Sequence, residues 1–288
     1  MSPRSVLAVV GGSGVYDIDG LTHVEELRFE TPFGPPSDTI VRGRLGDIGM
    51  LFLPRHGRGH RIAPHQIDFR ANICAMKMLG ATHLVSVSAV GSMKEDIAPG
   101  DFVVVDQFVD LTRRRVSTFF EDGIVGHVAF ADPVCEQLSA SLAQAAIRVG
   151  ARVHERGTYV CIDGPQFSTR AESLLYRSWG PAVIGMTAMP EAKLAREAEL
   201  PYALLALATD YDCWHATEED VTAAAIVAQV ERNVATARRA VVELAQALPD
   251  PSKSRASSAL ASALMTDRDR IPEATRERLS WLIGKYAR

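Results

Sequence analysis

The chain has 288 residues, of which 47% are hydrophobic and 23% charged, enough for one large α/β domain or two modest ones. A net charge of −4 supplies no basic field for a polyanion, so nucleic acid is not an expected partner, and an anionic small ligand needs a local site. The first apolar run, Val6 to Val10, is too short for a signal peptide or a membrane span, so a cytoplasmic protein with no membrane partner is expected.

Short β-rich runs alternate with helical segments almost to the end, the pattern of a central sheet flanked by helices. Strands are predicted over Val6 to Val10, Thr39 to Leu45, Met50 to Leu53, His83 to Val87, Phe102 to Val105, Ala151 to Ile162, Ala182 to Gly185 and Tyr202 to Ala208. Helices are predicted over Gln66 to Leu79, Pro133 to Val149, Arg170 to Trp179, Pro190 to Glu199 and Val221 to Ala247. Asp250 to Ser254 reads as a linker, and Ser257 to Leu264 and Pro272 to Tyr286 read as helices too small to fold alone. The expected organisation is a main domain over residues 1–249 and an extension over 250–288 that packs on it or on a neighbouring subunit. Cys74, Cys135, Cys161 and Cys213 form no CxxC pair, which argues against a zinc site or a disulfide scaffold.

The chemistry gathers at the ends of strands. Gly11-Gly12-Ser13-Gly14 follows the first strand, and glycines there turn backbone amides toward an anion; a tight turn explains the same residues. The third glycine of a dinucleotide fingerprint and the lysine of a Walker loop are missing. Pro54 to His60 ends another strand, with Arg55 offering a planar fork for phosphate oxygens and His56 a further donor. His56 and His60 are four apart, but the intervening glycines oppose a helix and no metal is expected. Ser86 to Ser92 breaks a strand into small residues that allow close approach of a ligand. Gly164 to Glu172 and Gly185 to Glu191 are turns feeding helices, the first carrying Phe167 for stacking on a flat base and the second a hydroxyl at its apex. Each alone is compatible with a purely structural turn; together they describe a pocket for an anion plus a flat heterocycle.

Thr209-Asp210-Tyr211-Asp212-Cys213-Trp214 completes that pocket. Two carboxyl groups one residue apart at a strand end can read an amino group and a ring nitrogen of adenine, if burial and mutual charge keep one of them protonated. Two solvated aspartates in a loop remain the alternative from these six residues alone.

In order and spacing these segments resemble the 5′-methylthioadenosine phosphorylases of the trimeric nucleoside phosphorylase family. The resemblance covers residues 5–248 and rests on Thr31 to Gly34, Arg55 to Arg58, Gln66 to Asn72, Pro99 to Asp101, Gly164-Pro165, Phe167-Ser168, Met186-Thr187 and Thr209 to Trp214. It implies the three-layer phosphorylase/hydrolase-like fold, a central mixed β-sheet flanked by helices. It also implies cleavage of an N-glycosidic bond by inorganic phosphate, which is a co-substrate, with no metal or organic cofactor and with a homotrimer or dimer of trimers.

By the same resemblance, Ser13, Arg55, His56, Ser88, Thr187 and the backbone amide of Ala89 contact phosphate. Met186 packs on the ribose, Phe167 stacks on the base, and Ser168, Asp210 and Asp212 hydrogen-bond it, the two aspartates carrying the catalytic role. His60, His127, Ala223 and Ile226 line the 5′ pocket. Ser13, Ser88, Gly185, Ala223 and Ile226 depart from the family's usual threonine, threonine, asparagine, valine and valine. These departures leave the 5′ substituent open, with adenosine or a 5′-halogenated adenosine as alternative substrates; a phosphorylase of broader purine specificity, including inosine and guanosine, is the further alternative, which Asp210 and Asp212 argue against. A hydrolytic nucleosidase would have little use for the arginine, histidine and hydroxyl cluster, and a binding-only regulator would not need every catalytic group to be present.

Overall fold

The structure, a computed structural model, describes residues 5–12, 14, 18–215 and 223–286, excepting the side chains of 223–228. Eleven strands form one mixed sheet: β1 (Val6–Gly11), β2 (Thr22–Leu27), β3 (Ile40–Leu45), β4 (Ile48–Pro54), β5 (His83–Ser92), β6 (Phe102–Val105), β7 (Gln107–Asp110), β8 (Val153–His154), β9 (Thr158–Cys161), β10 (Val183–Gly185) and β11 (Tyr202–Asp210). The helices are α1 (Phe69–Met78), α2 (Glu136–Arg148), α3 (Arg170–Ser178), α4 (Glu191–Glu197), α5 (Ala223–Ala245), α6 (Glu273–Arg278) and α7 (Ser280–Ile283).

The ten residues of β5 organise the sheet. Along its first part it runs parallel to β1 on one side and to β11 on the other; at Gly91 and Ser92 it turns to pair antiparallel with β10. From this fork one branch continues through β11, β6 and β8, the other through β10, β9 and β7. Because β1, β4, β5 and β11 are mutually parallel, their carboxyl ends open on one edge, where ligands of open α/β sheets bind.

Alternation along each strand divides the core between the two faces. Ala8 and Val10 of β1, with Leu204, Ala206 and Ala208 of β11, face the side covered by α1 and α4. Leu7, Val9, Ala203, Leu205 and Leu207 face α2 and α5. The result is helices, sheet and helices in three layers, as expected.

Several boundaries differ from the sequence reading, each for a local reason. The run predicted as one strand over Ala151 to Ile162 is two, since β8 joins β6 while β9 crosses to β10 and β7. Between them Gly157 is packed so closely that a Cβ would lie 2.5 Å from that of Ala182. Helix α1 starts at Phe69 rather than Gln66 because the Asp68 carboxylate caps the Ala71 N–H, after a separate 3₁₀ turn over Pro64–Gln66. Strands β2 and β7 were not expected; β2 is exposed along nearly its whole length and carries no apolar alternation.

Residues 250–286 form short turns rather than the helix predicted over Ser257 to Leu264, and the stretch from Pro272 divides into α6 and α7 at Leu279. Leu260, Ala263, Ile271, Leu279, Leu282 and Ile283 lie in the same buried cluster as α1 and α4. Trp281 meets Phe119 edge to face at 5.1 Å. The backbone of this segment also pairs with the loop before α2, His127 N–H donating to Ala263 at 2.8 Å and Met265 N–H to Val125 at 2.9 Å. Leu279 is fully buried. Leu279→Ala should therefore cost about 2–5 kcal/mol, measured by denaturant unfolding followed through the whole chain's far-UV signal; a loss confined to a minor separate transition would show that this segment does not share the main core.

Candidate active site

Five strand ends bring the candidate residues together, and β5 runs beneath them. Its Ser86 bonds Arg55, its Ser88 meets Thr187, its Gly91 lies under both aspartates, and the carbonyl of its Ser92 accepts the Trp214 indole N–H at 2.7 Å. A Cβ at Gly91 would come within 3.0 Å of Asp210 Oδ1 and 3.2 Å of the Asp212 Cβ, so only glycine lets the β11 turn sit this close.

Arg55 leaves the end of β4 and is 1% exposed. Its Nε and Nη2 donate to the Glu191 carboxylate at 3.0 and 3.2 Å, Nη2 also to Ser86 Oγ at 2.6 Å and to the Val10 carbonyl, and Nη1 to the Val87 carbonyl at 3.2 Å. Tyr202 donates its phenol proton to Glu191 at 3.0 Å. Although burial works against its charge, the Glu191 carboxylate raises the Arg55 pKa, so the guanidinium stays charged. With five donor hydrogens and most of them committed, Arg55 keeps one Nη1 hydrogen for an anion.

His56 donates Nδ1–H to the Ile62 carbonyl at 2.9 Å, and burial pushes its pKa down to about 4. A neutral ring with Nδ1 protonated presents Nε2 as an acceptor. His56 is thus suited to receive a phosphate O–H, where the sequence reading treats it as a donor. His60 stacks on it, ring centroids 4.3 Å apart at 16°.

Ser88 Oγ lies 3.2 Å from Thr187 Oγ1, joining β5 to the turn after β10, and Ala89 beside it is exposed. Ser13 lies outside the described residues, while the carbonyl of neighbouring Gly14 accepts from Arg238 of α5. The side chains of Ala223 and Ile226, at the start of α5, also lie outside them. His127 is exposed on the loop held by the C-terminal segment.

At the other end, Asp210 accepts from Thr209 Oγ1 at 2.7 Å and from the Asp212 N–H at 2.8 Å, a turn that aims Asp212 inward with φ 52°. Ser173 of α3 donates to the Asp212 carboxylate. Burial, the leading cause, raises the Asp212 pKa, against the opposing Ser173 hydrogen bond. Ser168 Oγ is buried without a hydrogen-bond partner, a polar atom that a ligand can satisfy. Phe167 is half exposed at 52%, leaving a ring face open.

The two ends are joined by Met186 and Arg115. Met186 packs on Gly164, where a Cβ would meet its sulfur at 2.3 Å. Arg115 donates to the carbonyls of Met186 and Met189 at 2.7 and 2.6 Å and to that of Asp163 at 2.7 Å, fastening the turn that carries Thr187 to the one that leads to Phe167 and Ser168. Sequence reasoning assigned no role to Arg115, Glu191, Ser173 or Tyr159. Glu191 stands at the end of the Gly185 to Glu191 turn, and a charge opening a helix beside small residues was the available signal; Arg115, within the run Arg113 to Arg115, has no pattern around it that marks it out.

A family model described as the phosphorylase superfamily matches residues 6–246. The chain belongs to that superfamily. It is 54% identical to the S-methyl-5′-thioadenosine phosphorylase of Geobacter sulfurreducens over 98% of this chain and 99% of the relative, and 51% identical to that of Hyperthermus butylicus over 92% and 97%. Among solved structures, a methylthioadenosine phosphorylase from an Antarctic soil metagenomic library superposes with a TM-score of 0.91 at 46% identity, covering 97% of this chain and 99% of that one. A variant adenosine/methylthioadenosine phosphorylase from Schistosoma mansoni, in complex with methylthioadenosine, gives 0.81 at 37% identity over 87% and 94%.

The buried ion pair makes a direct prediction. Glu191→Ala, which strands the Arg55 charge, should destabilise the protein by about 3–5 kcal/mol, read by denaturant unfolding, and Glu191→Gln, which keeps an acceptor oxygen but removes the charge, should cost nearly as much; a clearly smaller loss for Gln would show that the carboxylate charge is not what holds Arg55.

Proposed function

We propose that this chain catalyses the reversible phosphorolysis of 5′-methylthioadenosine, giving adenine and 5-methylthioribose 1-phosphate, as a pentosyltransferase of methionine and purine salvage. The observation that carries this reading is the joining of two chemically different ends by Met186 and Arg115. One end holds a charged Arg55, a neutral His56 and two adjoining hydroxyls; the other holds a buried carboxyl of raised pKa beside an unpartnered serine hydroxyl.

Phosphate is held at the first end by Arg55, His56, Ser13, Ser88, Thr187 and the Ala89 amide, beneath the anomeric carbon. As the glycosidic bond lengthens the sugar gains cationic character, and the bound anion both stabilises it and attacks it. Met186 packs on the sugar. The base leaves with negative charge that must be neutralised: Asp212, held toward its protonated form by burial, donates to the ring nitrogen, and Asp210, fixed by Thr209 and the Asp212 N–H, accepts from the amino group. Phe167 stacks on the ring and Ser168 gains its missing partner. Phosphate supplies the nucleophile, so the reaction uses no metal or organic cofactor.

The 5′ pocket in this reading is completed by His127 from an adjoining copy together with Ala223, Ile226 and His60, in a homotrimer or a dimer of trimers. Residues 1–249 form the catalytic domain and 250–288 an extension packed on it, and the protein works in the cytoplasm on small nucleosides, without nucleic acid or membrane partners. Among the described residues no helix is long and apolar enough to cross a membrane.

Release of the free base, adenine from 5′-methylthioadenosine and adenosine and hypoxanthine from inosine, each with and without inorganic phosphate, tests the assignment. Strict phosphate dependence with preference for the methylthio compound is expected; release at an equal rate without phosphate would make the protein a hydrolase. Asp212→Asn should lower kcat for 6-aminopurine nucleosides about 10²-fold or more, the usual scale of a lost general acid, with little change in phosphate KM. An unchanged kcat would remove Asp212 from base activation.

A further inference from the structure

Gly185 closes β10 with no side chain where the family resemblance implies asparagine. The vacated space is filled. A Cβ at Gly185 would lie 2.1 Å from the Tyr159 hydroxyl oxygen and 2.7 Å from its Cζ, so the phenol of β9 occupies the volume that a side chain here would need. Tyr159 is fully buried, and its hydroxyl lies 3.3 Å from Ser88 Oγ and 3.4 Å from the Thr187 backbone nitrogen.

The protons of this cluster can be assigned by elimination. The Thr187 N–H can only donate, so the phenol oxygen accepts from it. The phenol's own proton then needs an acceptor, because a buried donor left unpaired is costly. Ser88 Oγ is the hydroxyl in reach. If Tyr159 donates to Ser88, the one Ser88 proton is left for the Ala89 carbonyl at 3.3 Å, Thr187 Oγ1 at 3.2 Å or a ligand, of which a bound phosphate is the charged and strongest acceptor, and the Thr187 proton is left for the same anion. Burial lifts the Tyr159 pKa to about 12, so the proton that sets this direction is retained at neutral pH.

We propose that Tyr159, admitted by Gly185, is a positioning residue that polarises the Ser88 and Thr187 hydroxyls so that both present protons to the phosphate. This rests on the assignment of Ser88 and Thr187 to phosphate binding. The phenol touches neither substrate: its effect passes through the two hydroxyls and falls on the anion alone. A hydroxyl pair without it can adopt either donor direction, including ones that turn a lone pair toward the anion.

Steady-state kinetics of Tyr159→Phe, with phosphate and 5′-methylthioadenosine varied separately and thermal melting alongside, tests the proposal. The ring is kept, and the phosphate KM should rise about fivefold to tenfold, the scale of one hydrogen bond, with the nucleoside KM unchanged. Gly185→Ala, which keeps the phenol but displaces it, should raise the phosphate KM in the same selective way and serves as the second variant if the first melts too low to assay. Ser88→Ala separates the layers of the argument. If Ser88→Ala raises the phosphate KM but Tyr159→Phe does not, the role of Tyr159 is overturned while the site stands. If Ser88→Ala leaves it unchanged, the assignment of the anion site itself fails. A Tyr159→Phe protein with both KM values raised in proportion to a lost Tm would show a packing role only and would equally overturn the proposal.

Discussion

The buried pair of Arg55 and Glu191 is the constraint around which the rest is arranged. A guanidinium with 1% exposure persists only where its charge and its donors are met. The residues that meet them come from three elements around it: Glu191 from the start of α4, Ser86 and Val87 from β5, Val10 from β1. β1, β4, β5 and α4 are thereby pinned to one another by a single side chain, and its positive charge is held at the carboxyl edge of the sheet with its direction fixed. Tyr202, on β11, adds a hydrogen bond from the strand that also delivers the aspartates. The anion end and the base end are thus referenced to one network.

A second network does for the loops what Arg55 does for the strands. Arg115 fastens the turns around Met186 and Asp163, while Glu197 of α4 accepts from Thr118 Oγ1 at 2.8 Å and from the Phe119 N–H at 2.7 Å, holding the segment that carries Arg115. Burial raises the Glu197 pKa to about 7. The C-terminal segment packs on the far side of the same loop through Trp281 and the backbone bonds to Val125 and His127. Helix α4 therefore carries both networks, Glu191 facing the strands and Glu197 the loop.

The sequence disclosed what depends on local pattern. The apolar strands, the sheet flanked by helices and the strand-end turns that carry the candidate residues were all legible, because buried strands leave continuous apolar runs and such turns leave glycines and hydroxyls next to them. Asp210 and Asp212 stood out as paired carboxylates at a strand end, yet the difference between their surroundings did not: a short side chain from α3, Ser173, and the depth of burial distinguish Asp212, and both are tertiary facts. The same holds for His56, whose role turns on a carbonyl six residues away. Arg115 was invisible for a different reason. It satisfies carbonyls, and carbonyls have no sequence signature. The pairing of Tyr159 with Gly185 required two strands to be seen side by side.

Strand β2 was missed because Glu25 and Glu26 interrupt any apolar alternation, and their pairing with Arg42 and Arg58 keeps the strand polar. It lies at one end of the sheet, bonded among the described strands only to β3, with a register shift between Thr22 and Glu25. Charge and irregular register are the means by which natural sheets keep an open edge from adding a further strand. The property that hides β2 from a reading of hydrophobicity thus protects concentrated protein from polymerising through its margin, and exchanging those glutamates for apolar residues would expose the molecule to edge-to-edge aggregation while leaving its ligand edge intact.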